Sequence, residues 1–407
     1  MDLLIGIDWA DDHHDICLMD PEGKILKEFQ ILQGIDGFHQ FGIELKKYEK
    51  DQVLICIETN HGLLFEHLAC MPHKLFVVNP GALVDYRKRY HVSGAKDDKI
   101  DARLLANFLR TEKHRLRPYQ MNGDLVETLK LLTEDRARLL KNKIRMQLQL
   151  IDTLKQYYPI ALELFSDIAT AIGLAFLEEY PTPEKAQKVS LNELKRFLKK
   201  QRYSWPKRLE EIFSLLQKEQ PRARALFVEA KTQFVMVMIP QIRLITGQIA
   251  FYDKRISECF KQYPDHDMFS SLPGVAEGLG PRLLSSLGDF RDRFSGFNEI
   301  QCLAGTAPVT KRSGKQCFVH FRVACNKSFR NTMQQMAFSS LKESIWAKHY
   351  YQEQRQKGKT HNMAVRALAN KWLRAIYALW IHGTSYDENV HLAHMKRISL
   401  IANIAAA

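Results

Sequence analysis

Four acids carry the first candidate chemistry. Asp8 ends the apolar segment in GIDWA, Glu58 ends the one in LICIETN, and Asp98 and Asp101 fall within GAKDDKIDARLLA. The spacing predicts strands leading into Asp8 and Glu58 and a helix starting near Asp98. Acids three apart on a helix share a face. Two strand ends and one helix face can therefore bring four carboxylates together. Close carboxylates repel unless a cation lies between them. Two Mg²⁺ ions about 4 Å apart, held by such a set, are a standard device for cutting phosphodiesters. Each acid alone also has an ordinary role open to it. Asp8 can cap a turn, Glu58 can be a solvated strand end, Asp98 an N-cap, and Asp101 a first-turn acid facing the helix dipole. Their order, and the apolar strands that deliver two of them, favour the joint reading.

The second constellation is CLAGTAPVTKRSGKQ, where Lys311, Arg312, Gly314 and Lys315 flank Ser313. A serine that attacks phosphorus needs backbone close to the phosphate and cations to stabilise the developing charge. Arg322, Lys327 and Arg330 follow as further phosphate contacts. A basic loop with an ordinary serine is the alternative. The third is SLPGVAEGLGPRLLSSLGDF, where Gly274, Gly278 and Gly280 fall in a short connection between helical patterns. Such a connection offers N–H donors to a phosphate, as a helix-hairpin-helix does, or simply joins two helices.

The elements that must position these residues follow from periodicity. Leu3–Asp8, Asp15–Met19 and Ile25–Ile31 read as a meander, with a turn at Pro21-Glu22-Gly23. Ile35–Lys47 and Gly62–Ala69 have helical spacing, Gln52–Ile57 and Leu75–Val78 read as strands, and Ile100–Leu109 is an amphipathic helix. Strands, then strands alternating with helices, give an α/β domain with a mixed sheet over 1–120. Residues 121–265 read as helical. Leu125, Leu129, Leu132, Leu139, Ile144, Leu148, Ile151 and Leu154 recur at three- and four-residue steps, as in a coiled-coil arm, and a second long helix spans Pro221–Phe260 with Pro240 inside. Residues 266–385 form a mostly helical third part, and 386–407 a tail.

The chain has 407 residues and a net charge of +13. Excess positive charge favours a polyanionic partner, because each neutralised phosphate releases counterions. Cys17, Cys56, Cys70, Cys259, Cys302, Cys317 and Cys325 are odd in number and form no CxxC pair. That usage fits a reducing cytoplasm and argues against a disulfide framework or a zinc ribbon. No basic-then-apolar leader opens the chain, and no unbroken apolar run reaches the ~18–20 residues of a membrane helix, so no membrane partner is expected. The nearest run, Ala367–Ile381, is interrupted by Lys371 and Arg374.

GIDWA, IETN and VVNPGALVDYRKRY…KDDKIDARLLA, in that order, resemble the RuvC-like DEDD domain (an RNase H-like fold) of insertion-sequence transposases of the "one-ten" family. LPGVAEGLGPRLLSSLGDFRDRFSGFNEIQCLAGTAPVTKRSGK resembles that family's second, serine-bearing domain. The resemblance covers about residues 1–120 and 265–340. It implies a DNA transposase whose DEDD acids are Asp8, Glu58, Asp98 and Asp101, binding Mg²⁺, and whose nucleophile is Ser313. Asp98 rather than Asp97 fits the Lys-x-Asp-x-x-Asp-Ala pattern of residues 96–102. The family's serine is often followed by two glycines, whereas here Gly314 precedes Lys315. The resemblance also implies guidance by a structured bridge RNA and dimers joining into tetramers, in which one subunit's acids meet another's serine. Two rivals remain at this stage. One is a metal-dependent nuclease of the Holliday-junction-resolvase kind with water as nucleophile. The other is a nucleic-acid-binding protein that has lost activity.

Overall fold

The computed structural model describes residues 2–90, 98–203, 206–275, 278–314, 316–390 and 392–393. The chain divides into two compact units, 1–121 and 122–407.

The first unit is built on a five-stranded sheet in the order β3-β2-β1-β4-β5. Its strands are β1 (Asp2–Trp9), β2 (His13–Met19), β3 (Ile25–Leu32), β4 (Gln52–Ile57) and β5 (Lys74–Val77). β1–β3 form the expected antiparallel meander, and β4 and β5 add in parallel to β1. Helices α1 (Ile35–Lys46) and α2 (Leu63–Ala69) cover one face, packing Phe41, Leu64 and Leu68 against Ile5, Ile7, Ile55 and Ile57. Side chains alternate along a strand, so Leu4, Cys17, Leu54 and Cys56 go to the opposite face. There they meet Ala102, Leu105, Ala106 and Leu109 of α4 (Asp98–Glu112). Between α2 and α4 runs α3 (Pro80–Tyr90), which is only weakly amphipathic, so periodicity does not announce it. Its start is set locally by Pro80 in the first turn, a position proline suits, and by the Asn79 carboxamide accepting from the Gly81 N–H at 2.8 Å.

Gly6 lets α4 lie directly on β1. A Cβ at Gly6 would stand 2.0 Å from the Ala102 carbonyl oxygen and 2.4 Å from the Ala106 nitrogen. Both are backbone atoms, which cannot swing aside. Gly6→Ala is therefore expected to destabilise the first unit by about 3 kcal/mol or more, measured by urea unfolding. A loss below about 1 kcal/mol would mean that α4 can lift from the sheet at little cost.

Among its described residues the second unit is helical apart from one hairpin. The long helices α5 (Asp124–Tyr157) and α11 (Ala225–Lys261) pack along each other. Between them in sequence lie α6 (Ala161–Leu164), α7 (Ala171–Glu179), α8 (Pro183–Gln187), α9 (Leu191–Lys200) and α10 (Leu209–Gln217). Leu150 and Leu154 of α5 and Val235 and Ile239 of α11 join these short helices in one core. Val126 and Leu129 of α5 and Ile256 and Phe260 of α11 belong to another. That second core is completed by α12 (His266–Ser270), α13 (Gly280–Leu287), α14 (Phe297–Leu303), α15 (Lys327–Ser339), α16 (Ile345–Gln356) and α17 (His361–His382). The segment expected to be a tail begins ordered. The Tyr386 N–H donates to Ser271 Oγ, and Glu388 accepts from the N–H of Ile345 and the hydroxyl of Ser344 at the start of α16.

The apolar run at Ala367–Ile381 belongs to α17, whose Leu368, Trp372, Leu373 and Trp380 are fully buried. Among the described residues, the helix that is long and apolar enough to cross a membrane by length and composition is α11 instead, and 28% of its most apolar stretch is buried. Requiring an unbroken apolar run missed it, because Gln241 and Arg243 interrupt the stretch. Pro240 sits inside α11 without ending it. Part of the apolar surface is explained by α5, the rest by exposed Phe234, Val237, Leu244 and Phe251.

Candidate active site

Asp8 and Glu58 are brought side by side. The last registered pair of β1 and β4 is Ile7 opposite Ile57, and each strand's next residue is the acid. Neighbouring strands lie about 4.8 Å apart. Following the alternation of Leu4, Gly6 and of Leu54, Cys56, both acids lie on the face that α4 covers.

α4 runs antiparallel to β1. At its far end Lys113 pairs with Asp2, at the beginning of β1, while Ala102 and Ala106 press on Gly6 in the middle. The first turn of α4, with Asp98 and Asp101, is thus carried toward the C-terminal end of β1. Backbone N–H groups and the positive end of the helix dipole face the same region and favour negative charge there. Asp98 begins α4, but its side chain, Asp97 and Lys96 lie outside the described residues. Asp101 is buried, and its carboxylate accepts from Arg87 Nη2 of α3. The Arg87 Nε is buried with no partner. Among the described residues no group of three His, Cys, Asp or Glu is gathered closely enough to hold a metal ion. The carboxylate of Asp101 is engaged by Arg87.

An acid that spacing alone missed stands beside Asp8. Asp15 of β2 is its cross-strand partner, and directly opposed residues share a face. Asp15 is buried, with the Gln30 amide 3.4 Å and His13 Nε2 3.8 Å from its carboxylate. The signal was an acid at an inward position of a strand whose next inward residues are Cys17 and Met19.

Ser313 closes a strand at the tip of an exposed hairpin, β6 (Val309–Ser313) against β7 (Gln316–His320). Ser313 pairs with Gln316, so the connection has two residues. Gly314, the first of them, has φ +55°, the left-handed conformation that the common two-residue hairpin turns require there. Lys315 lies outside the described residues. The register separates the expected cradle. Lys311, Phe318 and Gln316 share the face of Ser313, whereas Arg312 goes to the other face with Cys317 and Val319. Arg322 and Arg330 come after the hairpin, with Arg322 Nε donating to the Ala307 carbonyl at 3.2 Å. Lys327 is exposed in the first turn of α15.

The glycine-rich connection has a packing explanation at two of its three glycines. The Gly274 N–H donates to Glu343 Oε2 at 2.9 Å, and a Cβ there would stand 2.4 Å from the Ser340 nitrogen. A Cβ at Gly280 would stand 2.7 Å from the Phe260 ring. Packing accounts for glycine at both positions, and a carboxylate already takes the Gly274 N–H. Gly278 faces open space.

A DEDD transposase model of the IS110 type matches residues 5–159, and a model described as the transposase IS116/IS110/IS902 family matches residues 266–352. A mini-circle protein of Streptomyces coelicolor, assigned as the transposase for IS117, is 30% identical over 393 residues, covering 94% of this chain and 95% of that protein. The chain belongs to the IS116/IS110/IS902 family of transposases. Transposases are DNA-recombining enzymes. An IS116 protein of Streptomyces clavuligerus is 24% identical over 92% of this transposase and 94% of its own length. An IS900 protein of Mycobacterium paratuberculosis is 23% identical over 81% and 82%. The first matched span holds all four sequence-expected acids, and the second holds the Ser313 hairpin.

Proposed function

We propose that this transposase exchanges DNA strands through a covalent serine–DNA linkage, with the carboxylate face of the first unit holding Mg²⁺. The observation that carries this reading is Ser313 exposed at the tip of a glycine-turned hairpin, in a chain that also sets Asp8 one residue before the end of β1 and Glu58 one residue after β4. In the first step Ser313 Oγ forms a bond to phosphorus and the bond from phosphorus to a sugar oxygen breaks. The serine proton is passed on, and the departing sugar oxygen gains one. In the second step a sugar hydroxyl attacks the seryl phosphodiester, restoring the serine. No water is consumed.

The donor set fits a hard cation, since Asp8, Glu58 and the α4 acids supply only carboxylate oxygens. Asp8 and Glu58 would hold it with Asp98, and Asp101 would join by exchanging Arg87 for the metal. Such an ion, when bound, supplies charge for a phosphoryl group or a lowered pKa for a reacting hydroxyl. This chain's residues do the rest. The strand ends fix the carboxylates, α4 backs them with its positive end, and Lys311 on the serine's face offers charge to a phosphate. Incubating the full chain with labelled DNA carrying the element's ends and Mg²⁺, then running a denaturing gel, tests the reading. A protein–DNA adduct is expected, and hydrolysed DNA without an adduct would replace it with a water-driven nuclease. We also propose a structured guide RNA as a second polyanionic partner and the cytoplasm as the setting, where the seven free thiols stay reduced. RNA recovered with the protein from its host and mapping beside its own gene is the expected result.

We assign the apolar side of the α5–α11 pair to a second copy, as the first step toward tetramers. Ile144 and Leu148 of α5 and Leu244 and Phe251 of α11 are 47–65% exposed. Leu244 and Phe251 border a groove with Leu139 of α5, and exposed apolar residues of this kind mark an interface. Light scattering should give a dimer for the wild type and a monomer of unchanged helicity for Leu244→Glu/Phe251→Glu. A wild type that stays monomeric with and without nucleic acid would remove the assembly from the reading.

A further inference from the structure

We propose that Arg366 of α17 and Arg330 of α15, gathered on Phe321, form a second DNA phosphate site at the base of the serine hairpin. Arg366 lies beyond the matched family span of 266–352, and nothing in its sequence neighbourhood marks it. Phe321 follows the last residue of β7 and is 42% exposed. The guanidinium of Arg366 lies 4.1 Å from the centre of its ring, and that of Arg330 lies 4.8 Å away.

Three features make this spot unfavourable without an anion. Two guanidiniums share one ring, and among the described residues neither they nor Arg322 forms an ion pair with a carboxylate. Arg366 Nε is buried with no hydrogen-bond partner. Burial and the charge of Arg330 both pull the Arg366 pKa below its ordinary value, the direction expected of a cation that lacks a counter-charge. The third feature is Arg330 in the first turn of α15, together with Lys327, where no acid offsets the positive end of the helix dipole. A phosphate relieves the charge crowding and the uncompensated helix end together. It lies on the solvent side of the two guanidiniums, offsets their charge, and sits at a helix N-terminus where anions are favoured.

The site is distinct from the phosphate at Ser313. Phe321 is adjacent to His320, the partner of Val309, and Val309 is four residues from Ser313. At ~3.4 Å per residue the separation is about 14 Å. One DNA strand presents a phosphate roughly every 3.4 Å along the duplex axis, so the arginines grip the same backbone several nucleotides away. Their role would be to hold the strand while the serine reacts, which makes Arg366 a positioning residue. The inference rests on the DNA-recombining reading above.

The test uses the full chain and compares wild type with Arg366→Met, which keeps an unbranched apolar stem and removes the charge. Fluorescence anisotropy with a duplex DNA, and separately with a duplex RNA, is measured over a salt series. Arg366→Met should weaken DNA binding by about tenfold and lower the slope of log K against log salt by about 0.9, the share of one phosphate. The melting temperature should hold or rise, because a frustrated cation has been replaced by an apolar chain. Unchanged affinity and slope would overturn the site, as would a fall in melting temperature with the slope unchanged, which means a packing role only. A slope lowered for RNA and not for DNA would overturn the DNA assignment. If the wild type itself binds no DNA, the proposed function falls as well. If the wild type binds and only the variant's effect is absent, the failure belongs to this inference alone.

Discussion

Ser313→Ala is expected to abolish strand joining and the covalent adduct while leaving DNA binding within about twofold. The loss is expected to be complete at the level of a gel assay, because the bond to phosphorus has no other oxygen to form with. Binding should persist because phosphate contacts are spread over many cations and one hydroxyl adds little to them. The hairpin should also keep its shape. Ser313 is exposed, and the turn depends on Gly314 in the left-handed conformation, not on the serine side chain. Gly314→Val gives the complementary case. It leaves the hydroxyl in place but forces a branched residue into positive φ, so joining should fall even though the nucleophile is present. An alanine variant that still joins DNA at the wild-type rate would move the nucleophile elsewhere. Water at the carboxylate face would then be the better candidate.

Asp8→Asn and Glu58→Gln are each expected to lower metal-dependent activity by about 10³-fold or more, since stabilising charge through a metal is worth several kcal/mol, about 4 for that factor. The same substitutions should cost little stability. Asp8 faces Asp15 across the β1–β2 pair, and Asp8→Asn removes that like-charge contact while keeping the side chain's size, so the melting temperature should change little. Activity lost with stability kept is the pattern of a site strained for function. Asp8→Asn with full activity, or with a melting temperature down by many degrees, would make the acid structural. Arg87→Met separates the two uses of Asp101. If Arg87 only holds Asp101 until metal arrives, removing it should lower the Mg²⁺ concentration needed for half-maximal activity. If the ion pair is what docks α3 on α4, the first unit should unfold earlier in urea. Leaving the Asp101 carboxylate buried without its arginine costs stability in either case, so the Mg²⁺ dependence is the reading that separates them.

The sequence by itself determined the strands of the first unit and the long helices, though not α3 or the β6–β7 hairpin. Alternation and apolar runs are local properties, so β1 and β4 could be read to their terminal acids, and the three- and four-residue repeat of Leu125–Leu154 gave α5. The SG step at residues 313–314 marked a place where the backbone needs glycine, and the structure puts a two-residue turn there. What the tertiary structure alone decided is which of these residues share a face and what already occupies them. That Asp15 lies against Asp8, that Arg87 holds Asp101, that Glu343 takes the Gly274 N–H, and that Arg312 goes to the opposite side of the hairpin from Ser313 all follow from register or from contacts between distant segments. Arg330 and Arg366 are separated by 36 positions and meet only because α15 and α17 pack together in one core. Such contacts leave no period in the chain, because any residue of the right size and charge at either position reads the same locally.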